Sequence, residues 1–310
     1  MQITKLLITL SALAFSANGA FASSSLGPAS AFNVFILGND TQSNTDAQGA
    51  VGVGGNAVFT NYSVASNLNS SYNGSNTLVV GNTLNYNNGQ VFYGNGAIGA
   101  TSGNSINANF LNGTYTTGIH PIDFGSAGSA LKSESTYLQT FGGTVETPTY
   151  GAYTLNGTNN TRDFFSVDAA GLSSANGLTI NGKTGETVVV NISGTAATLQ
   201  NFQINLNNID PNHVLYNFSE ASTLGISSLS PEGTVLAPFA NISFSNGHID
   251  GTIIGASLSG SGEEHQFAFE GNVPTPHATA APEPASVATM GLGMFSIFGM
   301  AFRRRLRKMA

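Results

Sequence analysis

Short apolar runs separated by Gly and Asn extend over most of the chain, as in residues 32–59, FNVFILGNDTQSNTDAQGAVGVGGNAVF. Runs of β-branched and aromatic residues bounded by turn formers predict strands joined by tight turns. In the second half such runs recur roughly every 10 to 20 residues, which fits a β-sandwich, a barrel or solenoid rungs. Thr187–Ile192 is apolar on both faces in its middle, which predicts an interior strand. The predicted strands are Leu178–Ile180, Thr187–Ile192, Phe202–Leu206, Val214–Phe218, Val235–Ala237, Ile242–Phe244, Thr252–Ile254 and Phe267–Phe269.

A short motif that recurs in the first hundred residues favours the solenoid. Segments 53–58, 79–84 and 92–97 share an apolar-x-Gly-Asn motif whose Asn residues, 56, 82 and 95, are separated by 26 and 13 positions. Gly-Asn corners at a repeating length suit a solenoid, because each rung must turn sharply and stack on the next. The alternative is that the motif recurs by chance in a Gly- and Asn-rich chain. The predicted fold class is therefore mainly β, with solenoid-like rungs.

Asn-Gly pairs supply candidate turns, and they occur at positions 73, 88, 95, 112, 156, 176, 181 and 246. Both residues accept positive φ. Asn side chains in successive rungs can also share amide hydrogen bonds, as they do in cross-β ladders. The abundance of Asn thus has a structural explanation.

One segment breaks the β pattern. Between Ser126 and Phe141, apolar residues at 127, 130, 131, 138 and 141 follow helical spacing, and Gly142-Gly143 ends the run. This predicts one amphipathic helix over residues 126–141. Its apolar face must lie on the sheet, either alongside the stack or across one end.

The first 22 residues have the form of a signal peptide. Lys5 precedes an apolar core from Leu6 to Phe15, and Ala20-Phe21-Ala22 has the small-x-small form that signal peptidase recognises. We therefore predict cleavage after Ala22, near Ser23. An N-terminal anchor is the alternative, which the short apolar core disfavours.

Charge is scarce and negative between the two ends. Charged residues make up 8% of the chain, against about 25% in typical globular domains. Only Lys132, Arg162 and Lys183 are basic between residues 23 and 273, whereas fifteen of the sixteen acids lie there. Such a surface repels phosphate, so we expect no nucleic-acid partner. The chain has no Cys, so no disulfide supports the exported fold.

Histidine and acidic residues offer few recognisable sites. His120, His213, His248 and His265 lack metal-ligand spacing. Glu263-Glu264-His265, the densest polar cluster, is where a metal would be expected, but a solvated turn between strands explains it as well. Asp40, Asp46 and Asp250 fit no calcium loop and are interpreted as turn formers. Gly255-Ala256-Ser257-Leu258-Ser259 lacks the closing Gly of a nucleophile elbow, which favours a strand-end turn. We therefore predict no catalytic residue, cofactor or metal ligand.

The C-terminal tail has three parts. Pro282-Glu283-Pro284 precedes an uncharged apolar run from Val287 to Phe302, and a basic cluster follows at Arg303, Arg304, Arg305, Arg307 and Lys308. The apolar run predicts a membrane segment over 286–302, with residues 303–310 cytoplasmic and 274–285 a Pro/Ala/Thr spacer. The tail resembles the PEP-CTERM sorting signal of exopolysaccharide-producing Gram-negative bacteria. This resemblance implies sorting to the cell surface by an exosortase; an ordinary C-terminal anchor is the alternative.

The body resembles the choice-of-anchor A domain. The resemblance rests on Asn33–Gly38, Gly49–Asn56, Asn61–Val64, Leu215–Ala221, Gly233–Pro238, Ile249–Ile254 and Leu258–Glu263. It implies that residues 23–273 form a right-handed β-helix with a helix packed beside it. It also implies an adhesive role, and brings no catalytic residues with it.

Three functions are compatible with these observations. The leading hypothesis is a surface-anchored adhesive or structural protein that contacts matrix polysaccharide or neighbouring cells in a biofilm. A hydrolase acting on exopolysaccharide is the alternative, because a β-helix can host a pair of carboxylates. Binding to ice or another crystal surface ranks third, because Thr-x-Thr occurs only at 114–116 and 147–149.

Overall fold

The computed structural model describes residues 26–158 and 160–276. They form a parallel β-solenoid, which confirms the predicted fold class and excludes the sandwich and the barrel. The N-terminal half contributes β1 to β9, preceded by a short 3-10 helix at Gly27–Ala31 and interrupted by another at Ser70–Tyr72. These strands are Val34–Ile36, Asp40–Ala47, Val51–Val53, Ala57–Val64, Asn76–Val80, Leu84–Val91, Asn95–Ile98, Ser105–Phe110 and Tyr115–Thr117.

The described part of the C-terminal half contributes two α-helices and twelve strands. Helix α1 is Phe124–Gln139, helix α2 is Ala169–Ser173, and a 3-10 turn lies at Pro211–His213. Strands β10 to β21 are Ala152–Asn156, Arg162–Asp168, Gly177–Asn181, Thr187–Ser193, Ala196–Gln200, Gln203–Asn207, Val214–Asn217, Thr223–Ser227, Thr234–Ser245, His248–Asp250, Ile253–Gly260 and Glu263–His265.

The first described strand, β1, lies in the middle of the stack. Strand β1 pairs in register with β3 on one side and with β20 on the other. The rungs therefore grow outward from β1 to β9, and the second half returns from β11 to β20 to meet β1. The pairing of the first and last rungs, Val34 with Ile253 and Thr41 with Ser259, forms a seam between residues more than 200 positions apart.

Helix α1 runs along the outside of the stack from the level of β1, where Phe124 stacks on Phe35, to the level of β13, where the Leu138 carbonyl accepts a hydrogen bond from Asn191. Its 16 residues span about 24 Å, which equals about five rung spacings. The predicted helix is confirmed, but it begins two residues earlier because Asp123 caps it by accepting a hydrogen bond from Ser126 N at 3.0 Å. Ala130 is exposed and Phe141 lies beyond the helix, whereas Leu131 and Leu138 are buried against the sheet.

A buried amide network fixes α1 on the sheet. Ser135 Oγ donates to Asn217 Oδ1 at 2.5 Å, and Asn217 Nδ2 donates to Asn191 Oδ1 at 2.8 Å. Asn191 Nδ2 donates in turn to the Leu138 carbonyl at 2.9 Å. The helix covers the outer face of β13, which explains why Thr187–Ile192 is buried on both faces, as predicted.

Rung length differs from the 13- or 26-residue repeat that the sequence suggests. Register gives steps of 17, 27, 18 and 19 residues from Val34 through Val51, Leu78 and Gly96 to Tyr115. Gly54 and Gly81 do stack at one corner, where Gly81 N donates to the Val53 carbonyl at 2.7 Å. Asn95 instead pairs with Asn76, so the 13-residue spacing was coincidental.

Most predicted strands are present, with two differences. Val235–Ala237 and Ile242–Phe244 belong to one bent strand, β18, whose register shifts between Ala237 and Asn241. Residues 267–269 are not a strand. The predicted sorting motif, membrane segment, basic cluster and signal cleavage site lie outside the described residues. Within the described ranges, no helix has the length and apolarity needed to cross a membrane.

Candidate functional surface

One side of the solenoid presents a continuous column of outward-facing small side chains, which we call the polar face. Eight strands stack in register here, from β14 through β17, β18, β20, β2, β4 and β6 to β8. At about 4.8 Å per strand, the column is about 34 Å long. Its central file is Thr198, Gly225, Ser243, Ser259, Thr41, Val58, Asn85 and Ser105.

The polar face lacks charge. Neither the central file nor the flanking files contain Asp, Glu, Lys or Arg. Every member of the central file is exposed except the partly buried Gly225. The flanking files are Gln200, Ser227 and Ser245; Ser43, Thr60, Asn87 and Asn107; and Ala196, Thr223, Asn241 and Ser257.

Stacked amides stiffen the corner beside this face. Asn61 Nδ2 donates to Asn44 Oδ1 at 2.8 Å, and Asn88 Nδ2 donates to Asn61 Oδ1 at 2.7 Å. All three residues have φ between 50° and 60°, a left-handed conformation that Asn tolerates. A second ladder joins Asn156, Asn181 and Asn207 on the sheet formed by β10, β12 and β15. The predicted Asn ladders are therefore confirmed.

The structure brings together His248, Asp250 and His265, which the sequence left unrelated. His265 Nδ1 lies 2.7 Å from Asp250 Oδ1, and His248 Nε2 lies 3.8 Å from the same oxygen. The two imidazole rings stack with centroids 4.4 Å apart. Burial and the charge of Asp250 raise the pKa of the neighbouring Glu232, while His248 opposes the rise.

Several residues predicted to lie in turns are in strands instead. Glu263, Glu264 and His265 form β21, and alternation turns Glu264 into the interior, where it is fully buried. Asp40 and Asp46 lie in β2 and Asp250 ends β19, so the turn interpretation was wrong for all three. The same holds for Gly255–Ser259, which belongs to β20.

His120 and His213 lie apart from this cluster. His120 borders a small hollow with Gly54 and Gly81, and His213 Nδ1 lies 2.8 Å from Asn212 Oδ1. Of the four candidate histidines, only His248 and His265 therefore lie together.

A cleft adjoins the histidine cluster. Its volume is about 510 Å³, and Ser230, which also contacts His248, lines it. Glu232 is the one acid among its lining residues, so the cleft alone does not supply the carboxylate pair needed for glycoside cleavage. The lining residues are Phe202, Gln203, Ile204, Asn205, Ser228, Leu229, Ser230, Glu232 and Asn246.

Sequence reasoning missed the polar face because its neighbours are distant in sequence. A local signal was nonetheless present. In β2, β4 and β6 the outward positions 41 and 43, 58 and 60, and 85 and 87 are small or polar, and they alternate with buried residues. Strand pairing is required to place these positions in one file.

Comparison with solved structures finds ice-binding proteins of low sequence identity. One is from the Antarctic ascomycete Antarctomyces psychrotrophicus (14% identity, 80% of this chain and 98% of that chain covered, TM-score 0.41). A second is from an Antarctic biological consortium (13%, 86% and 95%, 0.42). A third is a glycosylated ice-binding protein from an Arctic yeast (11%, 83% and 98%, 0.37). No curated protein matches the sequence.

Comparison with family models gives a match over residues 25–266, to the family described as "Putative Ice-binding-like adhesive domain". The matched range contains every strand of the solenoid and helix α1. This chain therefore belongs to the ice-binding-like adhesive domain family.

Proposed function

We propose that this protein is an adhesive module of the cell surface whose polar face contacts extended, hydroxyl-rich surfaces such as matrix polysaccharide. The observation that carries the proposal is the charge-free file of eight residues on successive rungs. Its hydroxyls and amides can form hydrogen bonds with a neutral polymer, and no charged side chain of the face must lose its hydration on contact. Family membership supports the adhesive class.

Export and sorting belong to the same proposal. The N-terminal signal peptide would deliver the domain across the inner membrane, and an exosortase would process the tail that begins at Pro282. The apolar core from Leu6 to Phe15 with Ala20-Phe21-Ala22 supports export, and Pro282-Glu283-Pro284 followed by the apolar run and the basic cluster supports sorting. Deletion of residues 282–310 should prevent surface display, which protease shaving of intact cells measures. Unchanged display would contradict the sorting proposal.

The polar face is tested by introducing charge. We expect the double variant Thr41→Lys/Ser243→Lys of the full-length protein to lose at least about tenfold in binding to insoluble cellulose, about 1.4 kcal/mol. Each lysine needs its hydration shell and holds the two surfaces apart. The matched control is Thr154→Lys/Asn205→Lys, which changes exposed strand positions on the sheet of β10 and β15. Equal retention of both variants would refute the assignment.

Ice is a second candidate ligand for the same face. Ser243, Ser259 and Thr41 place hydroxyls on three consecutive rungs across the seam, and the family description names ice-binding-like domains. Val58, Gly225 and Asn85 interrupt the file, which makes it less regular than a file of one residue type. Thermal hysteresis that is abolished by Thr41→Lys/Ser243→Lys would establish ice binding; its absence in the wild type would exclude it.

A further inference from the structure

We propose that His248, Asp250 and His265 form a binding site for a divalent transition-metal ion, with Zn²⁺ as the typical occupant. The three residues offer two imidazole nitrogens and one carboxylate oxygen, and these atoms all lie within 4.8 Å of one another. The site is on β19 and β21, which are not among the eight strands of the polar face, so it does not depend on the proposed function.

Strand geometry creates the cluster. Strands β19 and β21 pair in parallel register, with His248 beside Glu263 and Asp250 beside His265. Alternation turns Ile249 and Glu264 into the interior, where both are fully buried. The remaining four side chains form a two-by-two array on the outside, held by strands rather than by mobile loops.

The distances are close to those of a chelate. Ligand atoms at about 2.1 Å from a tetrahedral ion lie about 3.4 Å apart. His248 Nε2 and Asp250 Oδ1 are already 3.8 Å apart, and His265 Nδ1 and Asp250 Oδ1 need only to separate slightly from 2.7 Å. The exposed fraction of the side chain is 40% for His248, 21% for Asp250 and 24% for His265. The two rings are stacked nearly in parallel with centroids 4.4 Å apart, so ion binding also requires one imidazole to rotate until both nitrogens face the ion. The exposure of the side chains permits this rotation and leaves the site reachable from solvent.

Neighbouring groups orient the ligands. Ser230 Oγ lies 3.2 Å from His248 Nδ1, which leaves Nε2 facing Asp250. Such outer contacts fix the orientation of ligating imidazoles in metal sites. Glu263 Oε1 lies 3.2 Å from His265 Nε2, so this carboxylate can either accept a hydrogen bond from the ring N–H or become a fourth ligand.

The donor set and the electrostatics select the ion. Two imidazoles with a carboxylate suit Zn²⁺ and its neighbours, whereas Ca²⁺ and Mg²⁺ prefer oxygen ligands throughout. No Lys or Arg is paired with these residues in the described part of the chain. Between residues 26 and 276 there are fifteen acids against three basic residues, which raises the local concentration of cations.

A bound ion would cross-link the last strand, β21, to its neighbour β19. Strand β21 also pairs with β2 through Glu264 and Ala47, so it belongs to the seam that joins the two halves of the solenoid. An ion that binds only the folded state shifts the folding equilibrium by a factor of about 100 when its concentration is 100 times Kd.

The test is Zn²⁺ titration of the purified, metal-free full-length protein, followed by calorimetry and thermal unfolding. We expect saturable binding at one ion per chain and a higher Tm, with Mg²⁺ giving neither. His248→Asn should weaken this binding at least tenfold, and because His248 is the most exposed ligand this variant should still fold. His213→Asn is the matched control and should bind like the wild type.

Substitution by Co²⁺ gives a second readout. Tetrahedral Co²⁺ with nitrogen ligands absorbs in the visible, and we expect this absorption to be lost in both His248→Asn and Asp250→Asn. The proposal is overturned if Zn²⁺ does not bind, or if the double variant His248→Asn/Asp250→Asn retains one equivalent at wild-type affinity. Retention would place the ion elsewhere in the chain.

Discussion

Asp40 makes the stability of the solenoid depend on pH. It begins β2 at the seam and is fully buried, so its hydrogen bonds with Gln42 and the Thr41 backbone only partly offset the loss of hydration. Burial raises its pKa to about 8 from an ordinary value of 3.8. Glu264 lies in the same interior and receives hydrogen bonds from Tyr62 Oη at 3.2 Å and Gln42 Nε2 at 3.4 Å. Burial, and secondarily the charge of Asp40, raise the pKa of Glu264 as well.

The sign of the effect follows from proton linkage. The unfolded chain releases the Asp40 proton near pH 3.8, whereas the folded protein keeps it until about pH 8. Its contribution is therefore fully present below pH 4 and is lost progressively as the pH rises toward 8. One such group costs about 1.4 kcal/mol per pH unit within this window, or about 3 kcal/mol between pH 5 and pH 7.

Asp40→Asn tests this reasoning. The amide is neutral at every pH and can donate to Gln42 Oε1, a buried acceptor with no partner. In urea unfolding followed by circular dichroism, the wild type should lose about 3 kcal/mol more stability than Asp40→Asn between pH 5 and pH 7. Asp210→Asn, at an exposed position, should match the wild type. If the free energy of unfolding changes equally with pH in the wild type and in Asp40→Asn, then Asp40 is already ionised in the folded state at pH 5. That result would refute a raised pKa for Asp40.

Two further substitutions test the architecture. Asn217→Ala should lower the free energy of unfolding by about 3 kcal/mol, because it leaves buried groups of Ser135 and Asn191 without partners. The control is Asn205→Ala, at an exposed strand position, and equal urea midpoints for the two variants would contradict the role of the network. Gly81→Ala should lower the free energy of unfolding by about 1–3 kcal/mol, because its Cβ would lie 2.3 Å from the Gly54 carbonyl oxygen. The control is Gly143→Ala, whose Cβ meets nothing within 4 Å. An unchanged Tm for Gly81→Ala would show that the corner can widen.

Local sequence patterns predict most of the individual strands and helix α1. Apolar runs bounded by Gly and Asn identified most strands, because alternation and turn chemistry act over a few neighbouring residues. Helix α1 was recognisable from its spacing, and the doubly apolar run at 187–192 correctly indicated a strand covered on both sides. The Asn ladders followed from one side chain's ability to hydrogen-bond its own kind in the next rung.

Strand pairing in the assembled solenoid sets which distant residues become neighbours. Rungs of 17 to 27 residues keep no fixed period, and the seam joins Thr41 to Ser259. Alternation in β2, β4 and β6 marks the outward positions, but their alignment into one polar face has no local signature. The same is true of the burial of Asp40 and Glu264 and of the His248–His265 pair. The physical reason is that strand pairing depends on backbone hydrogen bonds, which are nearly independent of side chain, so register is set by the packing of the whole interior.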